Sequence, residues 1–318
     1  MSEASSLSQP QAQDICAICL IVRRVFDAVA PIGTVLGVIV LVWYLACIPM
    51  NRAWIEDRAG ASQTLAELIP AVWQQGSPVL PAPHQVGGAL WETTIAEPPL
   101  RERRGELRGN PRSLIFHAYQ TLAPTLLGFL VGTFAGMALA TGIIHSRAMD
   151  LSVMPWAIAS QMVPILAIAP MVIVVLSSLG VTGLFPKALI SSYLSFFPVV
   201  VGMVKGLRSP SPMDMDLMRT YSASAAQIFW KLRLPASLPF LFASLKVGIA
   251  AALVGAIVAE LPTGARFGLG ARLLTGSYYS DTLMIWSALF MAAICAALLV
   301  GGLGLMERIM LRRMGARA

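Results

Sequence analysis

Six stretches of this chain contain no Asp, Glu, Lys or Arg, and most are long enough to cross a bilayer unaided. They run from Ala28 to Met50, Ser113 to Ser146, Leu151 to Pro186, Ala188 to Val204, Val247 to Ala259 and Thr282 to Met306. A hydrocarbon core takes about 20 helical residues to cross, and a helix satisfies its own backbone there. The fifth run is short, but Leu234 to Leu245 before it is uncharged too, with only Lys246 between them. That lysine can snorkel along its stem or turn its head to a polar interior. Only 12% of residues are charged, against roughly 25% in soluble domains. The expected fold class is an all-α membrane protein with six transmembrane helices.

The net charge of +7 invites a nucleic-acid reading, which the placement of the charges excludes. The basic residues sit beside the apolar runs, without the aromatic interleaving that stacks bases. They report orientation instead. Arg23 and Arg24 precede the first span and Arg147 lies between the second and third. Lys205, Arg208, Arg219, Lys231 and Arg233 lie between the fourth and fifth, and Arg308, Arg312, Arg313 and Arg317 follow the sixth. The short loops of the other side hold only Lys187, Arg266 and Arg272. Both termini are therefore expected in the cytoplasm. The expected division is a tail at 1–27, a first span at 28–50 and an external loop at 51–112. A core at 113–306 contains a cytoplasmic loop at 205–236, and a basic tail at 307–318 follows it.

Enzymatic chemistry finds no support. No phosphate-cradling G-x-x-x-x-G-K-[ST] is present, nor H-E-x-x-H, nor paired carboxylates inside the apolar runs. Cys16 and Cys19 form a C-x-x-C without the second pair a zinc site needs, and Cys47 and Cys295 read as small apolar fillers. His84, His117 and His145 are scattered, so no metal and no cofactor is expected. Residues 1–15 are polar and read as disordered, and no cleavable secretory signal is visible.

Between the spans, Ser62 to Gln75 has apolar residues at Leu65, Leu68, Ile69 and Val72, a pattern for a surface helix. Pro78 to Pro83 breaks it, Val86 to Trp91 starts another, and Arg101 to Arg112 reads as a solvent loop. In the second span, Gly128, Gly132 and Gly136 share one face, either for packing within the subunit or for a subunit interface. The third span carries Pro155, Pro164 and Pro170 around Gln161 and should kink. Gln161 and Pro164 are candidates for lining a pathway, with a plain structural kink as the alternative. Glu260 ends an apolar span: it is either solvated at the interface or part of a gate or ion pair. Otherwise the spans lack carboxylates to bury, leaving a pathway without fixed charges and little for proton coupling.

The stretch from Lys205 to Leu241 is polar, rich in turn residues and enclosed by apolar runs. It predicts two short helices, Asp214 to Tyr221 and Ala225 to Leu232. Ser224 is placed to N-cap the second, with Gln227 closing a capping box. Leu234-Pro235 and Leu238-Pro239 should stop that helix and set the angle of the next span.

These residues together resemble the membrane subunits of ABC importers of the nitrate/sulfonate/taurine type. That family's cytoplasmic signature opens on Glu-Ala-Ala, has a glycine four residues after the second Ala and ends on Ile-x-Leu-Pro. Aligned on Leu234-Pro235, it places Asp216 at the Glu, Leu217 and Met218 at the alanines, Ser222 at the glycine and Leu232 at the Ile. The order of further matches spans residues 78–310: Leu80-Pro-x-Pro83, Thr121-Leu through Gly128-Phe129, and Val163-Pro164 to Ala169-Pro170. Phe196-Phe197-Pro198 with Gly206-Leu207-Arg208, Ala259-Glu260 and Gly268-Leu-Gly270 complete it. The resemblance implies an ABC importer permease fold with a cytoplasmic coupling helix, in a bacterial inner membrane. It implies a homodimer, two ABC ATPase subunits, an external solute-binding protein and no hydrolysis by this chain. Asp216, Ser222, Ser224, Gln227, Phe229, Trp230, Leu234 and Pro235 would then carry the coupling, with Phe229 and Trp230 as anchors in an ATPase groove or else packed on their own subunit.

Overall fold

The computed structural model describes residues 9–59, 64–103, 106–262 and 264–314, with side chains of the first helix from Ala30 onward. The polar residues 1–8 and Arg317, and the side chains of Cys16, Cys19, Arg23 and Arg24, lie outside the described part. The described chain divides into two compact units, one ending at Val86 and the other starting at Gly87.

The first unit is built on α1 (Gln9–Ala59), which begins inside the stretch 1–15 expected to be disordered and continues past Met50 as an unbroken helix. Its large apolar side chains Ile32, Val35, Leu36, Ile39 and Val42 are exposed, a surface suited to lipid. Helix α2 (Leu65–Trp73) is capped by Thr64 and Glu67, and its Leu68 and Val72 bury against Cys47, Ile55 and Ala82. Asn51 ties the following loop to α1: its Oδ1 accepts from Val79 N at 2.7 Å and its Nδ2 donates to Leu80 O at 2.9 Å. Helix α3 (Pro83–Trp91) begins in this unit.

The second unit opens with a hairpin, β1 (Leu100–Arg103) antiparallel to β2 (Glu106–Gly109). The solvent loop expected at Arg101–Arg112 is thus partly a two-stranded ribbon. Backbone pairing across a short turn satisfies donors that a loose loop would leave to water. Then come α4 (Leu114–His145), α5 (Arg147–Ser160), α6 (Ile165–Ser178) and α7 (Leu184–Leu207). Short α8 (Pro212–Thr220) and α9 (Ala225–Ile228) precede α10 (Leu234–Glu260), α11 (Leu269–Tyr278) and α12 (Thr282–Arg313).

Five described helical stretches are long and apolar enough to cross a membrane, and α5 with α6 makes a sixth crossing if taken as one span. The kink expected there is a 95° bend. Pro164 disfavours helix at Val163, and its own missing N–H is spent at the start of α6, where no partner is needed.

Helices α4, α7 and α10 form the centre. The glycine stripe of α4 faces α7: a Cβ at Gly132 would sit 2.7 Å from Ser192 O and one at Gly128 2.9 Å from Ser192 N. These glycines therefore serve packing inside the subunit. Gly255 of α10 brings its backbone against the same stretch of α7, next to Ser191. Where side chains cannot separate them, helix axes come close and dispersion contacts accumulate along their length.

Candidate functional site

The segment joining α7 to α10 is built by local chemistry that the sequence mostly displays. Ser211 caps α8 through a box with Asp214, which moves the start of that helix to Pro212, two residues before the expected Asp214. Asp216 is exposed and pairs with Arg219 at 3.2 Å. The helix ends in a Schellman turn: Ala223 N donates to Met218 O at 3.0 Å and Ser222 N to Arg219 O at 2.8 Å. Ser222 stands at φ 50°, so serine occupies the left-handed position where the family signature has glycine. The turn is kept, not reshaped. Ser224 then caps α9, accepting from Gln227 N at 3.3 Å while Gln227 Oε1 accepts from Ser224 N at 2.8 Å.

The expected stop at Leu234-Pro235 does not occur. Residues Phe229–Arg233 form a π-helical turn in which Leu234 N bonds Phe229 O, and the chain runs on through Pro235 and Pro239 to Glu260. Pro235 stands in the first turn of α10, where a missing N–H is tolerated, and the wider turn before it shifts the helical register without ending the helix. The short helix and the membrane span are one continuous rod of 36 residues.

Its two aromatics face different surroundings. Phe229 packs with Leu234 and Leu238 against a buried cluster that includes Ile143 of α4, Val200 and Leu207 of α7 and Leu241. The His145 ring stands 5.4 Å from it. Trp230 is 65% exposed. Along α8 and its C-cap, Met213, Leu217 and Tyr221 recur at four-residue intervals and are all exposed, a row of large side chains on a polar segment. Asp150 of α5 holds Arg208 at 2.8 Å, fastening the start of the segment to the bundle.

The other end of the bundle holds a buried polar knot. Glu260 is 0% exposed, which replaces the solvated alternative with an ion pair and corrects the expectation of spans without a buried carboxylate. Lys187, placed by sequence in a short loop, lies in the first turn of α7 with its Nζ 3.4 Å from Glu260 Oε1. Thr121 of α4 donates to Glu260 Oε1 at 3.0 Å and accepts from Leu269 N at 2.8 Å. Gly270 N donates to Glu260 Oε2 at 2.8 Å. His117 Nδ1 lies 3.0 Å from both the N and the O of Gly268, and its Nε2 3.0 Å from Pro111 O. Gly268 stands at φ 134°, and a Cβ there would fall on the Glu260 carboxylate. The glycine-rich loop is thereby stitched to α4, α7 and α10. Sequence order placed Glu260, Gly268 and Gly270 in one motif and Thr121 in the family's second-span pattern, but nothing local joined His117, Thr121 and Lys187 to Glu260, because they lie far from it along the chain.

Gln161 and Pro164 belong to the bend between α5 and α6, not to this knot. Tyr193 of α7 donates to Ser160 O beside the bend, and the Gln161 Nε2 is buried without a hydrogen-bond partner. A 360 Å³ cleft opens between α6 and α7, lined by Ile165, Val172, Ile190, Tyr193 and Phe196 among others. Among the described residues no group of three or more His, Cys, Asp or Glu could hold a metal.

A core of close-packed spans, one of them broken, with a polar capped segment between two of them defines a multi-pass membrane permease. The chain belongs to the family of binding-protein-dependent transport system inner membrane components, whose family model matches residues 128–315. It is 28% identical to the riboflavin transport system permease protein RibX of Chloroflexus aurantiacus, over 77% of this chain and 87% of that one. It is 27% identical to the putative aliphatic sulfonates transport permease protein SsuC of Bacillus subtilis, over 78% and 85%. The taurine transport system permease protein TauC of Escherichia coli is 29% identical, over 77% and 86%. The protein is a transport subunit of an ABC importer for small solutes, not an enzyme.

Proposed function

We propose that this chain works as a homodimer with two ABC ATPase subunits and an external solute-binding protein, moving a small solute inward by alternating access. The segment 205–236 is the coupling element and faces the cytoplasm, as do both termini. The observation that carries this reading is the exposed row Met213, Leu217 and Tyr221, with Trp230 beyond the turn, on a segment too polar to lie in lipid. Large apolar side chains left open outside a membrane mark a protein-binding surface. Aromatic residues on such a surface are the usual anchors.

The division between neighbouring aromatics supports a lever. Trp230 and α8 meet the ATPase, while Phe229 transmits the movement, because it is packed on the bundle and lies in the same rod as α10. Force applied to α9 passes into the span without crossing a hinge. Gln161 and Pro164 line the pathway, whose wall moves when α5 and α6 change their angle.

The solute is a nitrate, sulfonate, taurine or similar small molecule; the relatives' names add riboflavin to the range of the family. The ATPase contact is tested by Leu217→Asp, which places a charge in the exposed row and leaves the subunit core untouched. The expected outcome is loss of co-purification with the ATPase and of uptake, with normal membrane insertion. Undiminished ATPase binding in this variant and in Trp230→Ala would sink the proposal.

A further inference from the structure

A cleft of 600 Å³ opens where α5, α7 and α10 meet, beside the start of the coupling segment. Its floor is apolar, made by Met154 of α5, Val201 and Val204 of α7 and Phe240 of α10. Its rim carries Lys205 and Arg208, both exposed. They stand three residues apart at the end of α7, which sets their Cβ atoms about 5–6 Å from each other on one face. Asp150 holds Arg208 at 2.8 Å. Among the described residues no carboxylate pairs with Lys205, whose Nζ stands 5.9 Å from the centre of the Phe240 ring. Asp150, Lys205 and Arg208 sum to one positive charge, directly above an apolar surface.

The depth of the cleft says what such a surface meets. The uncharged run of α7 ends at Val204, so Lys205 stands where hydrocarbon gives way to headgroups. The neighbouring helix agrees. A Cβ on Gly206 would sit 2.9 Å from Ser237 Cα and 3.0 Å from Phe240 Cβ, so Phe240 is level with Lys205. Phe240 is also about 9 Å along α10 from Leu234, which leaves the first turns of that helix outside the hydrocarbon. A ligand for this cleft is an amphiphile with one negative charge: a soluble anion would gain nothing from the floor, and a zwitterion would leave the net charge unmatched. Cations at a helix C-terminus also answer its dipole, a role that needs no cleft, and the two roles separate on lipid selectivity.

We propose that the cleft holds one phosphatidylglycerol, its phosphodiester between Lys205 and Arg208 and an acyl chain along Phe240, Val201 and Met154. The full chain is reconstituted in bilayers of phosphatidylglycerol, phosphatidylethanolamine and phosphatidylcholine in equal amounts, and the lipids it retains are read by native mass spectrometry. Phosphatidylglycerol is expected to be retained roughly fivefold over either zwitterion, the worth of one basic residue at the membrane surface. Lys205→Gln, at an exposed position that leaves the melting temperature unchanged, is expected to bring the ratio close to unity, and Lys205→Glu to reverse it. Arg312→Gln removes the same charge from α12, outside the lining of the cleft, and is expected to keep the wild-type preference. Equal retention of the three lipids overturns the proposal, as does wild-type preference in Lys205→Gln. An equal loss in Arg312→Gln overturns it by reducing the effect to general attraction by a basic surface. Displacement of the lipid by inorganic phosphate overturns it in favour of a soluble anion.

Discussion

Ser222 occupies a left-handed backbone position without the freedom of glycine, and the Schellman turn it completes sets the angle between α8 and α9. An L-residue there costs about 1–2 kcal/mol, offset in part by the flexibility that glycine would add to the unfolded chain. Ser222→Gly is therefore expected to stabilise the turn by about 0.5–1 kcal/mol, seen as slower amide exchange at position 222 and at Ala223. At the opposite end of the bundle the stakes per residue are larger. Glu260 and Lys187 are both buried, so Glu260→Leu leaves an ammonium without its counter-charge. Removing one partner of such a pair costs about 3–5 kcal/mol, whereas removing both restores much of it. Thermal unfolding in detergent should show Glu260→Leu strongly destabilised and the Lys187→Met, Glu260→Leu double variant closer to wild type. If the double variant is no better than the single, the pair is not what the knot depends on.

Helix identity was readable because the spans are long runs with few or no charges, Lys246 alone interrupting the fifth, and capping was readable because a box is spelled within four residues. Ser224 and Gln227 met that expectation bond for bond. What lay hidden depends on distant partners or on backbone adjustment. Pro235 reads as a stop, yet a π-helical turn before it shifts the register and leaves the proline in the first turn of α10, and nothing in the local spelling announces that turn. The buried knot escaped for the other reason: Thr121 and Glu260 are 139 positions apart, and only the packing of α4 on α10 joins them. The glycine stripe showed a face but not its partner; the partner is α7. Since a Cβ at Gly132 would meet Ser192 O, Gly132→Val must push the two helices apart. Overpacking of this kind costs about 1–3 kcal/mol. A drop in melting temperature with no change in dimer formation is the expected result. A selective loss of the dimer would move the stripe to a subunit interface.

For the molecule as a whole, the proposed roles depend on the two ends of the second unit facing opposite sides of the membrane. The basic residues argue for this: Lys205, Arg208, Arg219, Lys231 and Arg233 cluster around α8 and α9, while α11 carries Arg272. Burial holds the Arg272 guanidinium below its ordinary range, with Asp281 opposing. Tyr278 and Tyr279 are exposed at the end of α11, and Met213 is exposed on α8. Cys47 and Cys295 are buried, and replacing all native cysteines leaves a silent background. In that background, Tyr278→Cys is expected to react with a membrane-impermeant maleimide in intact cells. Met213→Cys should react only after the membrane is opened. Because α10 begins beside the coupling segment and ends at Glu260, the two labels report the two ends of one crossing. The reverse pattern would put the exposed row of α8 outside the cell, beyond reach of any ATPase, and the same rod could then no longer serve as its lever.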